Sequence, residues 1–349
     1  MKKDSVFITG ATGFIGSYVV RYLLDKGYKV IALKRATTSM DLLGEAEQKV
    51  EWVNHSIFDI KDVENIISAV DIVIHCAGKI SNDKRDLDEM MRTNVEATQM
   101  LVDLSLANSV KKFVHISSVA AIGRNKIEQE LNENSPWTES ESNSDYAYSK
   151  MLAEHEVWRG YHEGLNTIII NPSFVLGAGH WHKGTSSLIN QLFKLSKYYP
   201  TGSNGFVDVR DVAQICIKAL ESDYSGERYI VNGVNLKYKE LFSKISAALN
   251  VEKPSEALES FKAGLAWRMD KIRSVLFSRE RILTKAFIKR LSSKVSYNNE
   301  KSKLAFDHEY IDVNTTIEET ATAYLKAIES GKTYSRFALF NSKNENLKF

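Results

Sequence analysis

Tyr146 and Lys150 stand four residues apart in the run Tyr146-Ala147-Tyr148-Ser149-Lys150, a spacing that puts both side chains on one face of a helix. A free phenol titrates near pH ~10, too high to trade protons at neutral pH. An ammonium beside it favours the phenolate and lowers that value, so the pair suits acid–base work. Spacing alone is not selective, because Tyr22–Lys26 and Tyr297–Lys301 repeat it. Context selects Tyr146. It follows a strand-like run reaching Ser118, opens a helical pattern behind the capping candidates Asn143, Ser144 and Asp145, and precedes another apolar strand. Ser118 then lies at the carboxyl end of a strand, where ligands of an open α/β sheet bind. Tyr148 falls off the Tyr146 face and is expected to pack.

A second constellation lies near the amino end. The apolar run Val6-Phe7-Ile8 leads into Thr9-Gly10-Ala11-Thr12-Gly13-Phe14-Ile15-Gly16, and a helical pattern follows through Val19, Val20, Leu23 and Leu24. Gly10 permits a tight turn, Gly13 lets a pyrophosphate approach backbone N–H groups at the helix N-terminus, and Gly16 lets the helix pack close to the strand. Gly10, Thr12, Gly13, Phe14, Ile15 and Gly16 are therefore candidate dinucleotide contacts. The first gap is one residue wider than in the G-x-G-x-x-G fingerprint. At the end of the second strand an NAD-preferring site offers an acidic residue to the ribose 2′-hydroxyl. Here Lys34-Arg35 stand instead, which suits a 2′-phosphate and favours NADP(H), with NAD(H) the alternative.

These groups need a sheet to hold them. Strands are expected at Ser5 to Thr9, Lys29 to Lys34, Glu51 to Asn54, Ile72 to Cys76, Lys112 to Ser117 and Thr167 to Asn171, with helices at Phe14 to Lys26, Met90 to Asn108 and Tyr146 to His162. Alternation of this kind means βαβ units and a parallel sheet covered on both faces. The expected fold is α/β, a Rossmann-type doubly wound parallel sheet with a smaller, interleaved, mainly helical C-terminal substrate lobe. The sheet domain would take 1–176, with 206–235 returning to it as a helix (Phe206 to Ala219) and a strand (Arg228 to Asn232). The lobe would take 177–205 and 236–349.

Composition narrows the partners. The 46 Lys+Arg and 44 Asp+Glu nearly balance, which argues against nucleic acid and for a small-molecule substrate. Two cysteines, Cys76 and Cys216, build neither a disulfide framework nor a metal site and fit a reducing, cytoplasmic setting; Cys216 is expected in the core. No run approaches the ~18 apolar residues of a membrane span. Between Lys262 and Lys303 twelve Lys/Arg stand against three Asp/Glu. That basic amphipathic stretch fits a covering helix better than peripheral membrane contact. His180-Trp181-His182 lacks a Cys or carboxylate at ligand spacing, so no metal is expected. No G-x-S-x-G elbow is present, which disfavours a hydrolase.

TGATGFIG and Tyr146-Ala147-Tyr148-Ser149-Lys150 together resemble the extended short-chain dehydrogenase/reductase superfamily, the NAD(P)-dependent epimerase/dehydratase group, over residues 4 to 235. Phe58-Asp59-Ile60 is similar to the pair whose acidic member contacts the adenine, and Ile74-His75-Cys76-Ala77-Gly78 to the strand lining the cofactor. Thr93-Asn94 resembles the family's structural Asn, which places Asn94 with Cys76, Ala77 and Gly78 among the expected cofactor-site residues, and Ile116-Ser117-Ser118 resembles the catalytic-serine strand. Asn171-Pro172-Ser173, with Val175-Leu176-Gly177, is similar to the segment flanking the nicotinamide. The resemblance implies that Tyr146 exchanges the substrate proton, Lys150 holds the cofactor ribose and biases Tyr146, and Ser118 hydrogen-bonds the substrate oxygen while hydride moves to or from nicotinamide.

Lys34-Arg35-Ala36-Thr37, Glu133-Asn134-Ser135-Pro136-Trp137 and Val207-Asp208-Val209-Arg210-Asp211-Val212-Ala213 look most like the dihydroflavonol-reductase-like branch, with its 3β-hydroxysteroid-dehydrogenase relatives. Cys76-Ala77-Gly78 replaces the commoner alanine pair. Ala121-Ile122 stands where sugar-nucleotide epimerases carry Val-Tyr, which counts against an epimerase. The expected function is an NADP(H)-dependent reductase or dehydrogenase of a carbonyl or secondary alcohol. The alternatives are a nucleotide-sugar epimerase or dehydratase and a silent NADP-binding sensor. Substrate identity would lie in 79–92, 123–142, 177–205 and the carboxyl-terminal lobe, where Trp137, Trp181, Tyr198 and Tyr199 are either pocket or core. A homodimer through the helices flanking the catalytic strand is an open expectation.

Overall fold

The computed structural model describes residues 4–123, 130–140, 143–194, 197–258, 289, 291–340 and 346–347. Most of the basic stretch from Lys262 to Lys303 lies outside the described residues. In chain order the first elements are β1 (Ser5–Thr9), α1 (Phe14–Asp25), β2 (Lys29–Leu33), β3 (Glu51–Val53), α2 (Ile60–Ile67), β4 (Ile72–His75), α3 (Leu87–Met91), α4 (Ala97–Ala107), β5 (Lys112–Ile116), the short β6 (Glu130–Leu131), α5 (Asp145–His162) and β7 (Thr167–Pro172). There follow β8 (Phe174–Leu176), α6 (Ser187–Phe193), the short β9 (Tyr198–Tyr199), β10 (Ser203–Asp208), α7 (Val209–Glu221), β11 (Glu227–Val231), β12 (Val234–Lys237) and α8 (Tyr238–Ala248). Helices Glu300–Phe306 and Val313–Glu329 come later.

Seven strands form one parallel sheet in the order β11-β7-β5-β4-β1-β2-β3. The chain winds outward from β1 to β3, then restarts at β4 and winds the other way. Strand order therefore reverses between β1 and β4, and the carboxyl ends of these two strands border the crevice where an open sheet binds its ligand.

Successive strand residues alternate between two cores. Val6, Ile8, Ile74, Val114 and Ile170 pack with α1 and α7, while Phe7, Val73, Phe113 and Ile169 pack with Val63 of α2, Leu101 of α4 and Val157 of α5. Each such side chain contributes about 1.5–3 kcal/mol through burial, and coverage of both faces explains the unbroken apolar runs of β4 and β7. Cys216 is fully buried in the first core.

The structure corrects three local expectations. The helix expected at Met90 to Asn108 is two α-segments joined by a π-turn, Arg92–Glu96. Phe206 to Asp208 is not helical. These residues finish β10, which pairs with β8 and β12 in a small mixed sheet, and α7 starts only after Asp208, whose side chain accepts from the Arg210 N–H. An apolar Phe-Val pair reads equally as strand or helix, and the capping carboxylate sets the boundary. Tyr148, expected to pack, is 49% exposed.

The Asp208 region is also a buried clamp. Arg210 Nε and Nη2 bond the two Asp208 oxygens at 2.9 and 2.7 Å, and Thr316 Oγ1 of helix Val313–Glu329 donates to Oδ2 at 2.8 Å. The guanidinium lies 4.2 Å from the Phe337 ring centroid. The Phe337 N–H in turn donates to the Tyr18 hydroxyl oxygen, and the Phe337 carbonyl accepts from Arg21 Nη2, both residues of α1. The C-terminal segment is thereby fastened to the helix that follows the glycine loop. No described helix is long and apolar enough to cross a membrane.

Candidate active site

The glycine loop between β1 and α1 is built by close backbone approach. Gly10 has φ +68, and a Cβ there would sit 2.6 Å from the Ala77 nitrogen and 2.7 Å from the Cys76 carbonyl carbon. A Cβ on Gly16 would fall 2.1 Å from the Gly10 oxygen. Gly13 is exposed at the start of α1, where no side chain caps the helix and no acidic residue occupies the first turn. Bare N–H groups and an uncompensated helix dipole suit an anion. Thr12, Phe14 and Ile15 are half-buried beside it. Gly16→Ala is expected to destabilise the chain by about 1–3 kcal/mol through forced displacement of the loop and to abolish nucleotide binding, as thermal melts and a nucleotide titration would register.

Across the crevice, β4 delivers Cys76, Ala77 and Gly78. Thr9 Oγ1 ties the two strand ends together, accepting from the Ala77 N–H at 3.3 Å and lying 2.7 Å from His75 Nδ1. Burial pushes the Cys76 thiol up to about 12, so it stays protonated. Asn94, in the π-turn, is buried. Its Oδ1 accepts from the Lys79 N–H at 2.7 Å, while Nδ2 donates to the Lys79 carbonyl and to Ser149 Oγ, each at 2.9 Å. It therefore braces the cofactor strand against α5, and its amide is engaged within the protein rather than offered to a ligand. Lys34 and Arg35 sit beyond the carboxyl end of β2, Lys34 over the Trp52 ring at 5.9 Å. Among the described residues neither is paired with a carboxylate.

Asp59 precedes α2, accepts from the Ser56 N–H at 2.8 Å and lies 3.5 Å from His55 Nδ1; Ile60 beside it is exposed. His55, Asp59 and Asp62 bring three ligand-type atoms within 4.8 Å of one another at the surface. His180-Trp181-His182 forms no such group among the described residues. Trp181 is buried core against Tyr324, and His182 bonds Asn190.

Ser144 caps α5, accepting from the Ala147 N–H at 3.2 Å. The half-buried Tyr146 stands in the first turn and the buried Lys150 one turn on, and α5 packs against the Val119–Ile122 turn that begins at Ser118. Lys150 Nζ donates to the Ile116 carbonyl at 3.0 Å and lies 3.4 Å from His115 Nε2. Lysine and serine thus share the end of β5. Burial lowers the Lys150 pKa to about 8, opposed by the charge of Glu154. Ser118 Oγ accepts from the Ala120 N–H at 3.1 Å, which uses a lone pair and leaves the hydroxyl hydrogen to donate.

The rival Tyr-x-x-x-Lys pairs serve the fold. Tyr22 is buried in α1 and receives Gln214, and Tyr297 is buried in a short strand beside β6. Pro172, which ends β7, and Ser173 and Val175 after it are buried, and Ser173 Oγ is an orphaned buried hydroxyl. The open glycine cradle and this orphan at a strand's carboxyl end both fit a dinucleotide. A cavity of about 490 Å³ borders α5, lined by Trp137, Ile122, Met151, Trp158, Glu154 and Arg228 among others. His115 and Glu154 touch the site but carried no sequence signal, since each matters only through partners distant in the chain.

A family model described as NAD dependent epimerase/dehydratase matches residues 6–232. Sterol demethylase protein B of Methylococcus capsulatus is 29% identical over 233 residues, 66% of this chain and 70% of that protein. A putative dihydroflavonol 4-reductase of Synechocystis is 28% identical over 279 residues, 77% of this chain and 80% of that protein. The solved structure of dTDP-glucose 4,6-dehydratase from Bacillus anthracis, in complex with NAD, matches with a TM-score of 0.74 at 20% identity, covering 94% of this chain and 98% of that one. The chain belongs to the NAD dependent epimerase/dehydratase family, among the extended short-chain dehydrogenases/reductases, and is an NAD(P)-dependent enzyme.

Proposed function

We propose that the chain is an NADP(H)-dependent oxidoreductase acting on a carbonyl or secondary alcohol of a small organic substrate. The observation that carries this is the convergence at the end of β5, where Lys150 on α5 reaches the Ile116 carbonyl two residues before Ser118, one helical turn from Tyr146. Gly10, Thr12, Gly13, Phe14, Ile15 and Gly16 would hold the pyrophosphate, Asp59 and Ile60 the adenine, Lys34 and Arg35 a 2′-phosphate, and Cys76 to Gly78 with Pro172, Ser173 and Val175 the nicotinamide half. When bound, the nicotinamide supplies the two-electron chemistry. Ser118 donates a hydrogen bond to the substrate oxygen as charge builds on it, and Tyr146 delivers or removes that oxygen's proton. Lys150, protonated below its lowered pKa, holds the cofactor ribose and favours the phenolate of Tyr146. Residues 177–205 and 236–349 would form the lobe that selects the substrate.

The named relatives include a putative reductase, and Ala121-Ile122 departs from the Val-Tyr of sugar epimerases. Both support a reductase over a closed redox cycle. The test is to heat-denature the purified protein and identify any released nucleotide, then follow NADPH absorbance against a panel of aldehydes and ketones with Tyr146→Phe as the inactive control. Loosely held nucleotide and Tyr146-dependent NADPH consumption are expected. Stoichiometric, non-exchanging NAD would instead establish the epimerase or dehydratase mode. Lys34→Ala/Arg35→Ala is expected to weaken NADPH by about tenfold or more, through loss of charge-assisted bonds, while NADH affinity stays within about twofold on the same reasoning. Equal losses for both nucleotides would remove the 2′-phosphate assignment.

A further inference from the structure

Glu154 sits one turn beyond Lys150 on α5 and is buried, 2% exposed. Its Oε1 accepts from Ser117 Oγ on one side and Asn171 Nδ2 on the other, both at 2.5 Å. The same Asn171 Nδ2 donates to the Ser118 main-chain carbonyl at 2.9 Å. The other oxygen, Oε2, faces Arg228 Nη1 of β11 at 3.3 Å. Arg228 is only a partial counter-ion. Its Nε donates to the Glu133 carbonyl at 2.8 Å, Nη2 bonds that same carbonyl, and its side chain is 20% exposed.

A buried carboxylate is tolerated only where hydrogen bonds and an opposite charge compensate its desolvation. Around Lys150 the other titratable groups are Tyr146 one turn earlier on α5, His115 on β5, His75 on β4 and Cys76 just beyond it. Burial holds both histidines well below their usual range, and hence neutral, and holds the cysteine protonated. Glu154 is the carboxylate that acts on the Lys150 ammonium.

We propose that Glu154 is a positioning residue of this active site: its charge keeps the buried Lys150 protonated, and its bond to Asn171 fixes the main chain at Ser118. The inference rests on the role given above to Lys150. It goes further in naming the group that sets the pH range over which that role is available. Because Lys150 is charged below its pKa, removing the anion moves loss of the charge to lower pH.

The experiment is the pH dependence of NADPH affinity, by fluorescence titration, for wild type, Lys150→Met, Glu154→Gln and the double variant Glu154→Gln/Arg228→Gln. The double variant replaces the ion pair with two amides able to bond each other. Wild-type affinity should fall as pH rises through about 8, and Lys150→Met should show no such limb. Glu154→Gln should shift the limb to lower pH by about one unit or more, the usual size for loss of a nearby opposite charge, and the double variant should show the same shift. A limb that stays in place while only melting temperature falls overturns the proposal, as does failure of both Glu154 variants to fold. Wild-type affinity indifferent to pH and to Lys150→Met overturns the role of Lys150 itself, and this inference with it.

Discussion

Tyr146→Phe is expected to lower turnover by about a thousandfold, the scale of a lost general acid–base group, with nucleotide binding and melting temperature near wild type. The substitution removes one oxygen from a half-buried residue in the first turn of α5. That turn is held by the Ser144 cap and by Ser149 Oγ donating to the Tyr146 main-chain carbonyl at 2.9 Å, neither of which involves the phenol. Lys150 keeps its bond to Ile116. Steady-state rates on any carbonyl that the wild type reduces, beside a nucleotide titration, separate chemistry from binding. Wild-type turnover in this variant would place the proton donor elsewhere.

The largest effect on stability is expected from Asp208→Ala. Asp208 caps α7, bonds Arg210 through both oxygens and receives Thr316 from helix Val313–Glu329, all in the interior. Removing it strands a buried guanidinium, with Glu319 its remaining carboxylate partner at 2.6 Å. Breaking one side of a buried pair costs about 3–5 kcal/mol, and the melting temperature should fall by roughly 5–15 °C. Asp208→Ala/Arg210→Met should recover part of the loss, because no guanidinium is then stranded inside and Glu319, left without Arg210, is 38% exposed. A double variant as unstable as the single one would show that the loss comes from the cap or the Thr316 bond.

Asp208 also illustrates what a sequence conveals and conveys. The glycine loop, the alternating strands and helices, and the Tyr146–Lys150 pair were legible because each depends on short spacing: a turn, a helix face, a capped start. The Asp208 segment reads as a helix start, yet Phe206 and Val207 are strand, because their partners Phe174 and Val175 lie far back in the chain. Helix α2 does carry helical spacing, at Ile60, Val63 and Ile67, but over only eight residues, whereas the π-turn around Asn94 follows from bonds to Lys79 and Ser149. Trp181, ambiguous between pocket and core, is settled as core by Tyr324 on a helix more than a hundred residues away. Trp137 lines the cavity beside α5. Glu154 gave no signal at all, since an acidic residue mid-helix is ordinarily solvated. Only Ser117, Asn171 and Arg228, brought in by three strands, make it part of the site.

The most direct measurement is an equilibrium titration of the purified, nucleotide-free protein with NADPH and with NADH. Saturable, reversible binding of both is expected, tighter for NADPH by about tenfold or more if Lys34 and Arg35 hold a 2′-phosphate, and lost in Gly16→Ala. Binding of neither nucleotide by folded wild-type protein would contradict the assignment of the glycine loop and, with it, the proposed chemistry of Ser118, Tyr146 and Lys150.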